Sequence, residues 1–164
     1  MTLVTSLLLL KLVLILGLAI WVAVVTINNI TAFRGGVASV GAMMSMRLFD
    51  QAPAIDSPLL KRRVASPVWH RLIYGIVLAV EGLVAILLCY AAIGLANAVL
   101  GIIDVTDAVR RANLALSAFL TMGFIMLLGG TWFAYYIRQE GMQLTHLLLI
   151  VIGIVGALFM NVAV

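Results

Sequence analysis

Residues 72–103 read LIYGIVLAVEGLVAILLCYAAIGLANAVLGII, with one charged side chain among them, the carboxylate of Glu81. A hydrocarbon core of about 30 Å is crossed by about 20 apolar helical residues, so the run exceeds one crossing. It predicts a transmembrane helix that is tilted or that ends near Asn97. Barrel strands are only about 10 residues long and alternate apolar with polar side chains, a pattern missing here. In lipid the backbone has no water to bond, and a helix satisfies its N–H and C=O groups internally.

Three further spans lie outward from this one. Upstream, Leu12 to Ile30 carries no charge, Asn28 and Asn29 close the segment, and Lys11 is placed to snorkel to the interface. Met1 to Leu10 lacks a basic leader and a clear small-x-small cleavage site, so it reads as the start of the first helix. Downstream, Asp104 and Asp107 mark a turn, where Thr106 or Asp107 can cap the next helix. That helix runs from about Ala112 to Tyr136 and ends in Trp132, Phe133, Tyr135 and Tyr136, an aromatic belt suited to the membrane–water interface. After a turn at Arg138–Gly141, the fourth span is Met142 to Val164.

The expected fold is therefore all-α: a four-helix transmembrane bundle, one domain over residues 1–164, with helices near 7–30, 72–97, 112–136 and 142–163. Both termini then lie on one side. The loop 31–71 is the long polar region, with Arg34, Arg47, Asp50, Asp56, Lys61, Arg62, Arg63 and Arg71 and prolines at 53, 58 and 67. Within it, Val37 to Phe49 with Met43, Met44 and Met46 reads as a short amphipathic helix on the membrane or on a partner.

Composition agrees. The chain is 65% hydrophobic and 10% charged, whereas a soluble domain carries roughly 25% charged residues. Water could not cover so much apolar surface. The net charge of +4 comes from residues flanking apolar runs, with no basic stripe or aromatic interleaving, which excludes a nucleic-acid partner. Arg34, Arg47, Lys61, Arg62, Arg63, Arg71 and Arg138 share one side against Lys11, Arg110 and Arg111 on the other, so the charge rule puts the long loop in the cytoplasm. The single cysteine, Cys89, reads as a small buried hydrophobe.

Glu81 is the most informative residue, because a carboxylate deep in a membrane helix costs several kcal/mol unless protonated, paired or wet. It fits a proton or ion relay, or a contact to a ligand or partner; the plainer reading is a carboxyl bonded to a neighbouring helix. His70, Tyr74 and Glu81 share a face within about 40° at 3.6 residues per turn. They are strung along the helix, which disfavours a catalytic cluster. His70 and His146 each open a helix at the same face and form a candidate haem pair; interfacial bonding to water or backbone is the plainer reading. The methionines fit packing better than copper. Small residues spaced for close approach, Gly75 with Ala79 and Gly153 with Ala157, point to helix contacts. No phosphate-binding loop, nucleophile elbow, metalloprotease helix or CxxC pair occurs.

Four stretches resemble a bacterial family, the domain-of-unknown-function family 2165 of predicted small integral membrane proteins. They are Asn28-Asn29-Ile30-Thr31; Ser66-Pro67 followed by His70, Tyr74 and Glu81; Gly123-Phe124; and Gly129-Gly130-Thr131-Trp132-Phe133. The likeness runs from about Lys11 onward. Similar chains tend to have a glutamate between the glycine pair and the tryptophan, where this one has Thr131. The resemblance implies no activity, and it implies basic residues on the side of the termini, opposite to the charge count.

The function expected from these residues is a non-catalytic accessory subunit of a bacterial inner-membrane complex of the respiratory or electron-transfer class, with other integral membrane subunits and lipids as partners. No enzyme activity, metal or cofactor is expected. The rival expectations are a small-ligand protein holding quinone, lipid or haem near Trp132, His70 and Glu81, and a proton- or ion-conducting oligomer using Glu81. Tyr74, Asn28 and Asn29 complete the intramembrane polar candidates, with His146 beside them.

Overall fold

The structure, a computed structural model, describes residues 2–162. Its helices are α1 (Leu3–Thr31), α2 (Phe33–Met44), α3 (Pro67–Val99), α4 (Val105–Trp132) and α5 (Glu140–Met160), with short 3₁₀ turns in the α2–α3 and α4–α5 connections and no strand among the described residues. Four of them, α1, α3, α4 and α5, are long and apolar enough to cross a membrane. Packing is sequential: α1 lies on α3, α3 on α4 and α4 on α5, with only slight contact between α1 and α5. The core between them is aliphatic, built from Ile15, Val84, Leu88, Leu95, Leu116 and Phe119 among others.

Helix ends follow local chemistry. α3 starts at Pro67, before the expected Leu72, because proline at the first helical position has its φ preset and gives up an N–H that has no partner there. It ends where Gly101 adopts φ +71, a left-handed value that glycine takes without penalty. The bonds Ile102 N–H to Asn97 O (2.8 Å) and Gly101 N–H to Ala98 O (3.1 Å) then close a Schellman motif. α4 begins at Val105 with Asp104 in the capping position. Asp107, expected as a cap, lies in the first turn and bonds Arg110 at 3.1 Å. α4 stops at Trp132, short of Tyr136, because Ala134 turns left-handed at φ 53.

The long connection differs most from expectation. Its helix is Phe33–Met44, not Val37–Phe49, and left-handed Met46 follows its end. It does not lie as an isolated surface helix. Gly36 faces Tyr74 and Gly41 faces His70, so α2 runs antiparallel to the first turns of α3. Beyond it, Met46, Phe49 and Ala134 form a second small core with Leu59, Leu60, Phe133 and Ile137. The loop is thereby docked on the α4–α5 turn. Arg62 fastens it, lying 4.4 Å over the Trp132 ring and donating to the Trp132 carbonyl at 3.1 Å. Arg138 donates to the Gln51 and Pro53 carbonyls from the other side.

Two side chains sit elsewhere than expected. Lys11 does not snorkel outward; it is 1% exposed and donates to the Val162 carbonyl at 2.7 Å. Val162 lies two residues past the end of α5, so its carbonyl has no helical partner and accepts from the ammonium. Cys89 is exposed on the outer face of α3 rather than buried. Of the small-residue pairs, Gly153 packs against Leu120 and Phe119 of α4, joined by Gly156 against Leu116. Gly75 and Ala79 face away from the bundle.

Candidate functional site

The polar residues of α3 meet α1 where α1 breaks. Ala32 interrupts the helix between Thr31 and Phe33. The Ala32 N–H still reaches the Asn28 carbonyl (2.8 Å) and the Gly36 N–H reaches Ala32 (3.1 Å), but the regular bond from Phe33 N–H to the Asn29 carbonyl is missing. A freed carbonyl within lipid costs several kcal/mol unless something bonds it. The Tyr74 hydroxyl does so, donating to Asn29 O at 3.2 Å. The side chain of Asn29 in turn donates from Nδ2 to Glu81 Oε2 at 2.8 Å.

Asn29 is thus held by α3 through both backbone and side chain. Glu81 is 6% exposed and Tyr74 7%. Glu81 lies 14 residues after Pro67, about 21 Å of rise into α3. The Tyr74 ring is seated by two features of α2: Phe33 meets it in a tilted contact at 5.2 Å, and Gly36 leaves the space the ring fills. Asn28 stands apart, its side chain exposed and its carbonyl used by Ala32.

His70 extends the same face outward. Its Nε2 lies 2.7 Å from the Val64 carbonyl; a carbonyl only accepts, so the proton is on Nε2. Its Nδ1 edge packs on Gly41, where a Cβ would come within 2.7 Å. Of the expected candidates, the fold therefore brings Asn29, Tyr74 and Glu81 together and sets His70 above them.

His146 and Trp132 belong elsewhere. His146 Nδ1 lies 3.2 Å from the Tyr135 hydroxyl, and the two rings stack at 5.6 Å. Tyr135 is 1% exposed, so it is a buried strut rather than part of the interfacial belt. Burial pushes its phenol above its ordinary pKa, which keeps the hydroxyl protonated and able to donate to His146. Gly130 makes room for that ring. Trp132 is exposed beneath Arg62. His70 is thus bonded to Val64 and His146 to Tyr135, with α4 packed between the helices that carry them. Tyr135 was the residue missed as a site group: an aromatic at a helix end has the same composition whether it faces headgroups or a neighbour.

Among the described residues, no group of three or more His, Cys, Asp or Glu is placed to hold a metal. Two clefts open on the surface. One, of about 360 Å³, lies between α2 and the start of α3 and is lined by Arg34, Arg47 and His70 among others. The second, about 500 Å³, runs along the outer face of α3 over Gly75 and Ala79.

Comparison with known proteins agrees with this architecture. A family model described as predicted small integral membrane protein, domain-of-unknown-function family 2165, matches residues 7–163. No curated protein and no solved structure matches the chain.

Proposed function

The chain belongs to that family of predicted small integral membrane proteins, and we propose that it serves as a non-catalytic accessory subunit of a bacterial inner-membrane complex, with a respiratory or other electron-transfer assembly as the class to test first. One observation carries the reading: among the described residues, the buried polar residues of the spanning helices are committed to bonds within the chain. Glu81 bonds Asn29, Lys11 bonds Val162, and Thr26 bonds the Val22 carbonyl at 2.8 Å. Transporters and pumps instead keep intramembrane charge facing a cavity or pathway.

What the bundle offers outward is the groove on α3. Its floor is Gly75 and Ala79, its walls are Val68, Leu72 and Ile76, and Arg71 stands at one end. A Cβ at Gly75 would meet nothing within this chain. Small residues four apart let helix backbones approach in lipid, where packing drives association. The groove is therefore shaped for the transmembrane helix of a larger subunit.

The double variant Gly75→Leu/Ala79→Leu tests this. Purified in mild detergent, the wild type should bring down a stoichiometric membrane complex with electron-transfer activity. The variant should lose that complex while melting at the same temperature, because both new side chains project into open space. Purification of the wild type as a lone monomer would remove the reading, as would a partner that the double variant retains. The rival reading rests on Glu81 lying far inside α3. In proteoliposomes, ion or proton flux that Glu81→Gln abolishes would favour conduction over a structural role.

A further inference from the structure

The cleft between α2 and α3 is not used by the accessory-subunit reading. It is about 360 Å³ and runs along one face of α2, where Val37, Ala38, Ala42 and Ser45 line it. Arg34 and Arg47 border it, and His70 closes the α3 side. Both arginines are exposed. Among the described residues neither has an acidic partner, since the ion pairs found are Arg63 with Asp50 and Arg110 with Asp107.

The cleft's position narrows the choice of ligand. Trp69, next to His70 in the first turn of α3, is 53% exposed, and exposed tryptophan at the end of a membrane helix marks the headgroup level. Two guanidinium groups that line one cleft and have no acidic partner attract phosphate, which they bind through paired N–H donors. Zwitterionic headgroups bring a cation of their own into such a cleft and are disfavoured by the same arginines.

We propose that this cleft seats the phosphodiester of an anionic glycerophospholipid, with Arg34 and Arg47 on its oxygens. The site is independent of whether the α3 groove binds a partner helix. The test uses the full-length chain, delipidated in detergent and examined by native mass spectrometry with phosphatidylglycerol, phosphatidylcholine or sodium phosphate added. Phosphatidylglycerol should be retained in preference to phosphatidylcholine and should resist millimolar phosphate. Retention should fall by roughly tenfold or more in Arg34→Gln/Arg47→Gln and stay unchanged in Arg110→Gln, which lies at the other end of the bundle. Equal retention of the two lipids by the wild type overturns the proposal without any variant. So does undiminished retention in the double variant, or displacement of the lipid by inorganic phosphate, which would assign the cleft to the soluble ion.

Discussion

Alanine at Gly130 should lower the melting temperature of the detergent-solubilised protein by roughly 5–10 °C, the equivalent of about 2–3 kcal/mol in a chain of this size. A Cβ there would sit 2.5–2.7 Å from three atoms of the Tyr135 ring. The ring has no room to retreat. It is 1% exposed and stacks on His146, and it follows Ala134, whose left-handed backbone aims it inward. Moving it also strains the hydroxyl bond to His146, a neutral bond worth about 1 kcal/mol. The adjacent glycine is the internal control. A Cβ at Gly129 meets nothing within 4 Å, so Gly129→Ala should be neutral or slightly stabilising, since alanine favours helix by up to about 1 kcal/mol. Differential scanning fluorimetry of the two variants decides the matter: equal melting temperatures would mean that Tyr135 is not packed as described.

The second large effect is expected at Asn29. Leucine there removes the donor to Glu81 and leaves a buried carboxyl with nothing to bond, at a cost of about 1–3 kcal/mol. Glu81→Leu removes the other partner and leaves the Asn29 amide unsatisfied. Replacing both should cost less than the sum of the single changes, because an apolar pair of similar size strands no polar group. The quantity to measure is the coupling energy of the cycle, from unfolding in mixed micelles. A coupling of about 1 kcal/mol or more is expected, toward the upper part of the range for hydrogen bonds between membrane helices. Strict additivity would show that the two side chains do not hold α1 to α3. Glu81→Gln should be milder than Glu81→Leu, since glutamine keeps an oxygen for Asn29 Nδ2.

The two experiments probe the two places where the resemblance to the family is densest. Asn29, His70, Tyr74 and Glu81 gather at the break between α1 and α2, while Gly130, Trp132 and Phe133 gather at the α4–α5 turn. Both places are sites of local irregularity in the helical backbone, one an interrupted ladder and the other a left-handed residue. In lipid, such irregularities persist only where side chains or neighbouring backbone meet the freed groups. That requirement gives the polar residues at these two places a structural role.

How far the chain could be read unaided varied by feature. The four crossings were legible because solvation by lipid is a property summed over about 20 consecutive residues, and α1, α3, α4 and α5 each contain such a run. The shared face of His70, Tyr74 and Glu81 was legible too, because helical periodicity is local. Its partner was not: Asn29 is 52 positions away from Glu81. A short helix within the connection over 31–71 was legible, but its bounds and its seat on α3 were not, because which face a polar, proline-containing segment docks on depends on distant residues. Here Met46 and Phe49 bury against Ala134 and tie it down. Lys11 misled for a related reason, since a lysine near a helix end reaches either toward headgroups or toward another helix's carbonyls with the same stem.

Sequence alone determined that the chain is helical, that it lives in a bilayer and that it crosses four times, because each follows from the free energy of placing backbone and side chains in hydrocarbon, counted along the polymer. Only the tertiary structure decided which helices are neighbours, that Asn29 is the partner of Glu81, that Tyr135 rather than His70 meets His146, and that Gly75 faces outward while Gly153 faces in. Those are contacts between distant segments. In lipid they are set by shape and by hydrogen-bond satisfaction between surfaces, which no window of consecutive residues contains.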